Sequence, residues 1–250
     1  MSKIMIAGII DYSSLDFPGH ICAVIYLCGC PYRCPWCQNA DVALANSEVC
    51  RETEISEIIK NLKEIFIIDS VTVTGGEPLI QKETFELCRR IKNETNLLLK
   101  IDHNGFYPEI LQKFLPLLDF ISIDIKAPFN EKYGITAGKS DWENVVEKVK
   151  RTCKILANWS GNKEARTTVV PTLIDENEII EISKIVNKYK FSIYTLNEFR
   201  AERTLDKKFQ NIMPYSYEKM INLGKSAKKY LDADNTEIYV VTSKKGREKI

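Results

Sequence analysis

Apolar runs and polar breaks alternate along this chain with a repeat of about thirty residues. Residues 21–27 form a continuous apolar run, as expected of a strand buried on both faces. In 52–66 the positions Ile55, Ile58, Ile59, Leu62, Ile65 and Phe66 fall at helical spacing. Val71 and Val73 then alternate within a strand that Gly75 and Gly76 end in a turn. The same reading predicts a helix at 82–93, a strand at 97–102 and a helix at 108–115 opened by Pro108. A strand at 120–126 leads to a helix at 141–159, with Ser140 or Asp141 as its cap. Strands at 166–171 and 191–196 flank a helix at 177–189. A helix at 215–230 and a short strand at 238–242 follow. The first nineteen residues read as an arm ending in a turn, and the basic tail 244–250 as a solvated end.

Six alternations of strand and helix require parallel strands joined by right-handed crossovers. An open doubly wound sheet and a barrel both satisfy that pattern. The polar residues Cys30, Glu77, Asp102, Asp124, Lys126, Arg166 and Asn197 gather at the C-terminal ends of the strands, which is where barrel enzymes build their sites.

Composition narrows the class. The chain has 250 residues, 44% hydrophobic and 28% charged, with a net charge of +1. That suits an ordinary globular enzyme, with no field that would draw nucleic acid or an anionic membrane. No apolar stretch approaches a membrane span, and no export signal is evident. Eight cysteines without export point to a reducing, cytoplasmic setting.

Three of those cysteines, Cys30, Cys34 and Cys37, sit in a Cys-x3-Cys-x2-Cys loop directly after the first apolar strand. Three thiolates so close can hold one metal centre. They suit a [4Fe–4S] cluster with one iron left open for a ligand, or a zinc knuckle completed by His20, Cys28 or Cys50. Of the other five, Cys22, Cys28, Cys88 and Cys153 read as buried free thiols, and Cys50 has no clear assignment. Asp102 and Asp124 end neighbouring strands and either share a cation or each cap a turn. Lys126 and Arg166 are placed to meet a carboxylate at the strand ends, or are simply surface charges.

The cysteine loop, with Trp36 before its third cysteine, and Gly75-Gly-Glu-Pro78 together resemble the radical S-adenosylmethionine superfamily. The resemblance implies a partial (β/α)6 TIM-like barrel of the radical SAM type over about 20–200, flanked by the arm 1–19 and a C-terminal helix and strand within 201–250, all in one domain. It implies a [4Fe–4S] cluster on Cys30, Cys34 and Cys37 whose open iron takes the amino and carboxylate groups of S-adenosylmethionine. Gly75, Gly76, Glu77 and Pro78 would then hold the ammonium group and Trp36 would lie near adenine. One electron from the cluster would release methionine and a 5′-deoxyadenosyl radical.

A narrower likeness is to the enzymes that activate glycyl-radical enzymes. It rests on Ser14, Asp16, Pro18 and Gly19, on Asp102-His-Asn-Gly105, on Asp124-Ile-Lys126, and on Arg166 in Arg-Thr-Thr-Val-Val-Pro. Within that group the tip Leu-Asn-Glu-Phe-Arg200 is most similar to the anaerobic ribonucleoside-triphosphate reductase activases. The likeness implies a glycine of a partner enzyme as substrate, and flavodoxin or ferredoxin as reductant. It places Asn104, Lys126 and Arg166 around S-adenosylmethionine, and a monovalent cation at Asp102 and Asp124. The segment 14–19 and the tip 197–200 are candidates for gripping the partner's loop. Gln38 and His103 depart from the usual pattern, where His and Thr are common. The alternatives are a pyruvate formate-lyase-type activase and a small-molecule enzyme of the 7-carboxy-7-deazaguanine synthase type. A zinc-binding or electron-transfer module without catalysis is the reading from outside enzymology.

Overall fold

A computed structural model describes residues 2–250. The chain divides into two units. The first takes the chain up to Pro31, Asn39–His103 and Tyr107–Ile121; the second takes Tyr32–Gln38, Asn104–Phe106 and Ser122–Ile250.

In the first unit β1 (Lys3–Ser13), β2 (Cys22–Leu27), α1 (Ala40–Ala43), β3 (Arg51–Glu54) and α2 (Ile55–Glu64) come first. They are followed by β4 (Ser70–Gly75), α3 (Thr84–Glu94), β5 (Leu98–His103) and α4 (Pro108–Phe114). The strands lie in the order β3-β1-β2-β4-β5. Here β2, β4 and β5 run parallel, with Cys22 beside Ser70 and Ser70 beside Leu98. Their apolar positions form the core, Ala23, Val24, Ile25, Val71, Val73, Leu99 and Ile101 being fully buried, while Thr72, Lys100 and Asp102 are buried polar positions among them. On α2 the stripe Ile55, Ile58, Ile59 and Leu62 is buried, each side chain contributing about 1.5–3 kcal/mol.

The second unit holds the end of β6 (Phe120–Asp124), then α5 (Glu131–Ala137), α6 (Trp142–Ala157), β7 (Asn162–Val169) and α7 (Glu176–Lys188). It closes with β8 (Ile193–Glu198), α8 (Tyr217–Lys228), β9 (Glu237–Thr242) and β10 (Gly246–Lys249). The order is β6-β7-β8-β9-β10, with β7, β8 and β9 parallel and β10 antiparallel to β9. No helix among the described residues is long and apolar enough to cross a membrane.

Four expectations are corrected. The arm is largely a strand, because β1 pairs antiparallel with both β2 and β3. The helix expected over 52–66 starts at Ile55, since Arg51–Glu54 pairs with Lys3–Ile6, and it stops at Glu64, leaving Phe66 97% exposed. The tail is not merely solvated: β10 pairs with β9, and Arg247 reaches Glu164, a carboxylate only 1% exposed. Ser122 and Thr195 hydroxyls also donate to Glu164, at 2.7 and 2.6 Å, so the buried charge is satisfied from several strands. Finally, Cys28 is not a free thiol, because it is disulfide-bonded to Cys50 with Cα atoms 6.2 Å apart.

Candidate active site

The first unit presents Cys30, Gly75, Gly76, Glu77, Pro78 and Asp102. The cysteine loop leaves the end of β2, and the turn after β4 is stitched to it by backbone. Gly76 N–H donates to the Leu27 carbonyl at 2.9 Å and Glu77 N–H to the Gly29 carbonyl at 2.8 Å. Both glycines are required by this approach. Gly75 has φ +120°, and a Cβ there would lie 2.2 Å from the Leu27 carbonyl oxygen. A Cβ on Gly76 would lie 2.2 Å from the Gly29 carbonyl oxygen. Glu77 is 1% exposed, and its Oε1 accepts from Leu79 N–H at 3.1 Å, which orients the carboxylate over the turn that Pro78 opens.

Two residues that the sequence pattern did not single out complete this corner. Gln81 donates from Nε2 to the carbonyls of Met5 and Cys28, at 2.8 and 2.9 Å, and its Oε1 accepts from Met5 N–H. It therefore fixes the backbone two residues before Cys30. Tyr107 has its hydroxyl pKa raised, first by burial and then by the negative charges of Glu77 and Cys30. Only its place just after Asn104-Gly-Phe marked it in the sequence.

Asp102 is 6% exposed, and its Oδ1 lies 2.7 Å from the ammonium of Lys100, itself 1% exposed. Oδ1 makes this ion pair without a directed hydrogen bond. Lys100 Nζ also donates to the Asp16 carbonyl at 2.5 Å, and Thr72 Oγ1 donates to the same carbonyl at 3.1 Å. Phe17 is buried against Phe120, with ring centroids 5.5 Å apart. The segment 14–19 is thus fastened to the middle of β4 and β5, several residues before their C-terminal ends.

The second unit presents Cys34, Trp36, Cys37, Asn104, Asp124, Lys126 and Arg166. Asp124 Oδ2 meets Lys126 Nζ at 3.2 Å, while Oδ1 meets Arg166 Nε and Nη2 at 3.2 and 3.1 Å. Burial alone would raise the Asp124 pKa, but the Lys126 and Arg166 charges outweigh it and hold it at about 2. Lys126 Nζ stands 5.1 Å from the centroid of the Trp36 ring, and Trp36 Nε1 donates to the Thr136 carbonyl at 3.0 Å. Trp36 therefore ties the cysteine loop to Lys126 and to α5.

Around Cys34 the backbone is held at both ends. Arg33 N–H donates to the Ala137 carbonyl at 3.0 Å, and Gly138, with φ +64°, lets α5 end against the Arg33 carbonyl. Asp206 N–H donates to the Pro35 carbonyl at 2.8 Å, so the segment after the 197–200 tip reaches the cysteine loop. Asn104 Oδ1 accepts from Phe106 N–H at 3.1 Å, and its backbone carbonyl accepts from Tyr32 at 3.4 Å. Asn104 thereby shapes the loop after β5.

The Radical SAM superfamily profile matches residues 24–181. A glycyl-radical enzyme activating enzyme of Methanocaldococcus jannaschii is 31% identical over 232 residues, 92% of this chain and 94% of that protein. The pyruvate formate-lyase-activating enzyme of Streptococcus mutans is 25% identical, covering 92% of this chain and 91% of its own. Among solved structures, Streptococcus suis SuiB bound to S-adenosylmethionine shares the fold, with TM-score 0.67 and 15% identity over 86% of this chain and 48% of that one. The parallel strands of each unit, with helices between them, fit the partial barrel expected from the sequence. The chain belongs to the radical SAM superfamily, within its glycyl-radical-enzyme activating family.

Proposed function

We propose that this enzyme reductively cleaves S-adenosylmethionine and leaves a radical on a glycine of a partner enzyme, anaerobic ribonucleoside-triphosphate reductase being the favoured partner. The observation that carries the reading is likeness to activating enzymes over nearly the whole of both chains.

Family membership implies a [4Fe–4S] cluster and S-adenosylmethionine, and the residues present fit both. Cys30, Cys34 and Cys37 lie outside the disulfide, whereas Cys28, two residues upstream of Cys30, is held in it and does not compete for iron. The Gly75–Gly76 turn packs against the backbone of Leu27 and Gly29, which sets Glu77 beside the start of the cysteine loop. When bound, the cluster supplies one electron to the sulfonium of S-adenosylmethionine.

The chain's own work is binding and orientation. Glu77 offers a buried carboxylate to an ammonium group, and Tyr107 stands by it with a proton it does not readily lose. Lys126 and Arg166 offer cations to a carboxylate, kept in place by Asp124. For the partner's loop, the segment running from the tip at 197–200 to Asp206 is favoured over 14–19. It touches the cysteine loop through Pro35, whereas 14–19 is fastened to Thr72 and Lys100. A low-potential one-electron donor such as flavodoxin or ferredoxin completes the scheme.

The test is release of 5′-deoxyadenosine under anaerobic reduction, with and without the candidate partner. Release should rise with partner present and vanish for Cys37→Ala. Equal release with a partner whose target glycine is replaced by alanine would contradict the proposal.

A further inference from the structure

The resemblance to activases implies a monovalent cation held by Asp102 and Asp124. The carboxylates as they stand do not fit one. Asp102 already has the Lys100 ammonium 2.7 Å from Oδ1, both groups being almost wholly buried. Asp124 already has Lys126 and Arg166 on its two oxygens. Neither carboxylate carries uncompensated negative charge, and a further cation beside either would meet a like charge at close range.

We propose that Lys100 takes the place of that ion, so that this enzyme binds S-adenosylmethionine without a monovalent cation. Lys100 is a positioning residue, acting through Asp102, and the proposal rests on the S-adenosylmethionine-binding reading above. An ammonium has the charge of a potassium ion and three N–H donors in place of a coordination shell. Lys100 lies two residues before Asp102 on β5, so both side chains leave the same face of the strand. Its other contacts are the Asp16 carbonyl at 2.5 Å and the face of Phe120, 5.7 Å from the ring centroid. A carbonyl and an aromatic face both suit a fixed cation. The tether also makes the charge permanent, where a free ion would come and go with its concentration.

The experiment compares potassium, sodium and tetramethylammonium chloride at equal ionic strength, on enzyme carrying its reconstituted cluster. Two quantities are read: the Kd for S-adenosylmethionine and the thermal midpoint. For the native chain both should be the same in the three salts, within about twofold and about 1 °C. A tenfold tightening in potassium or sodium overturns the proposal, as does a rise of about 5 °C or more, the shift expected of a saturated cation site. Lys100→Met should acquire a potassium-dependent midpoint and Kd, a response that loss of packing alone would not produce. A soluble Lys100→Met protein with native affinity in every salt also overturns it. Should Lys100→Met not fold, Lys100→Arg keeps the charge and should remain indifferent to potassium; dependence there counts against the proposal. If S-adenosylmethionine binds in no salt, the binding reading fails, while the thermal series still decides whether Lys100 replaces the ion.

Discussion

Replacing Gly76 by alanine tests whether the Gly-Gly turn positions the cysteine loop. Gly76 does not occupy the left-handed region, so the substitution adds a methyl group and little backbone strain. That methyl would lie 2.2 Å from the Gly29 carbonyl oxygen and 2.8 Å from its carbon, where contacts under 3.0 Å do not occur. The two backbones must therefore part by about 0.8 Å, which is the difference between the required and available distances. The hydrogen bond from Glu77 N–H to Gly29, now 2.8 Å, would stretch or break. Overpacking of this kind costs about 1–3 kcal/mol, or about 2–12 °C in the thermal midpoint of a chain this long. Cys30 follows Gly29, so the same displacement falls on a cluster ligand, and misplacement near 1 Å costs about 100-fold in rate. Thermal unfolding and anaerobic S-adenosylmethionine cleavage measure the two effects. Gly8→Ala is the control, because nothing lies within 4 Å of a Cβ there. A Gly76→Ala protein that melts and cleaves like the control refutes the reasoning.

Cys37→Ala should lower iron after reconstitution from about four per chain to near zero. Cys153→Ala should keep its iron, because that thiol is fully buried in α6 and burial pushes its pKa up, away from metal chemistry. Asp124→Asn should leave iron unchanged and weaken S-adenosylmethionine binding, since Lys126 and Arg166 lose their shared anchor. The Asp124 carboxylate is depressed to about 2, so its contribution is fully present above its ordinary pKa of 3.8 and is lost as pH falls towards 2. Affinity measured at pH 7 and pH 5 should therefore show no loss traceable to Asp124, and a loss in the native chain that Asp124→Asn abolishes would contradict this. The Cys28–Cys50 bond closes a loop of sequence separation 22. Reducing it in cluster-free protein should cost about 3 kcal/mol, lowering the midpoint by about 6–12 °C, and an unchanged midpoint would contradict that.

What the sequence revealed and what it hid follow from one physical distinction. β2 shows as an apolar run because both its faces are covered, β4 shows by its alternating valines, and the helices that follow show as periodic stripes. β3 and β10 did not show, because Arg51–Glu54 and Gly246–Lys249 are charged segments held by backbone pairing, which leaves no side-chain signature. The cysteines and the Gly-Gly turn were legible because their chemistry demands fixed residue types at fixed spacing. Lys100 was not, since a lysine inside a strand gives no sign of whether it points to water or to a buried carboxylate. Its i−2 relation to Asp102 was the available signal. Gln81 escaped for a similar reason: its partners are the backbone groups of Met5 and Cys28, whatever side chains stand there. The Cys28–Cys50 pairing could not be read from spacing alone, because eight cysteines permit many pairings.

The claim that this enzyme places a radical on a glycine of another protein is tested most directly by electron paramagnetic resonance. Reduced enzyme, S-adenosylmethionine and a glycyl-radical-enzyme partner are mixed without oxygen and the spectrum recorded. The expected signal is a doublet, split by the remaining Cα hydrogen, that collapses to a singlet when the partner is made with α-deuterated glycine. Cleavage of S-adenosylmethionine driven by a small metabolite, with no protein-borne radical on any glycyl-radical partner, would contradict the account.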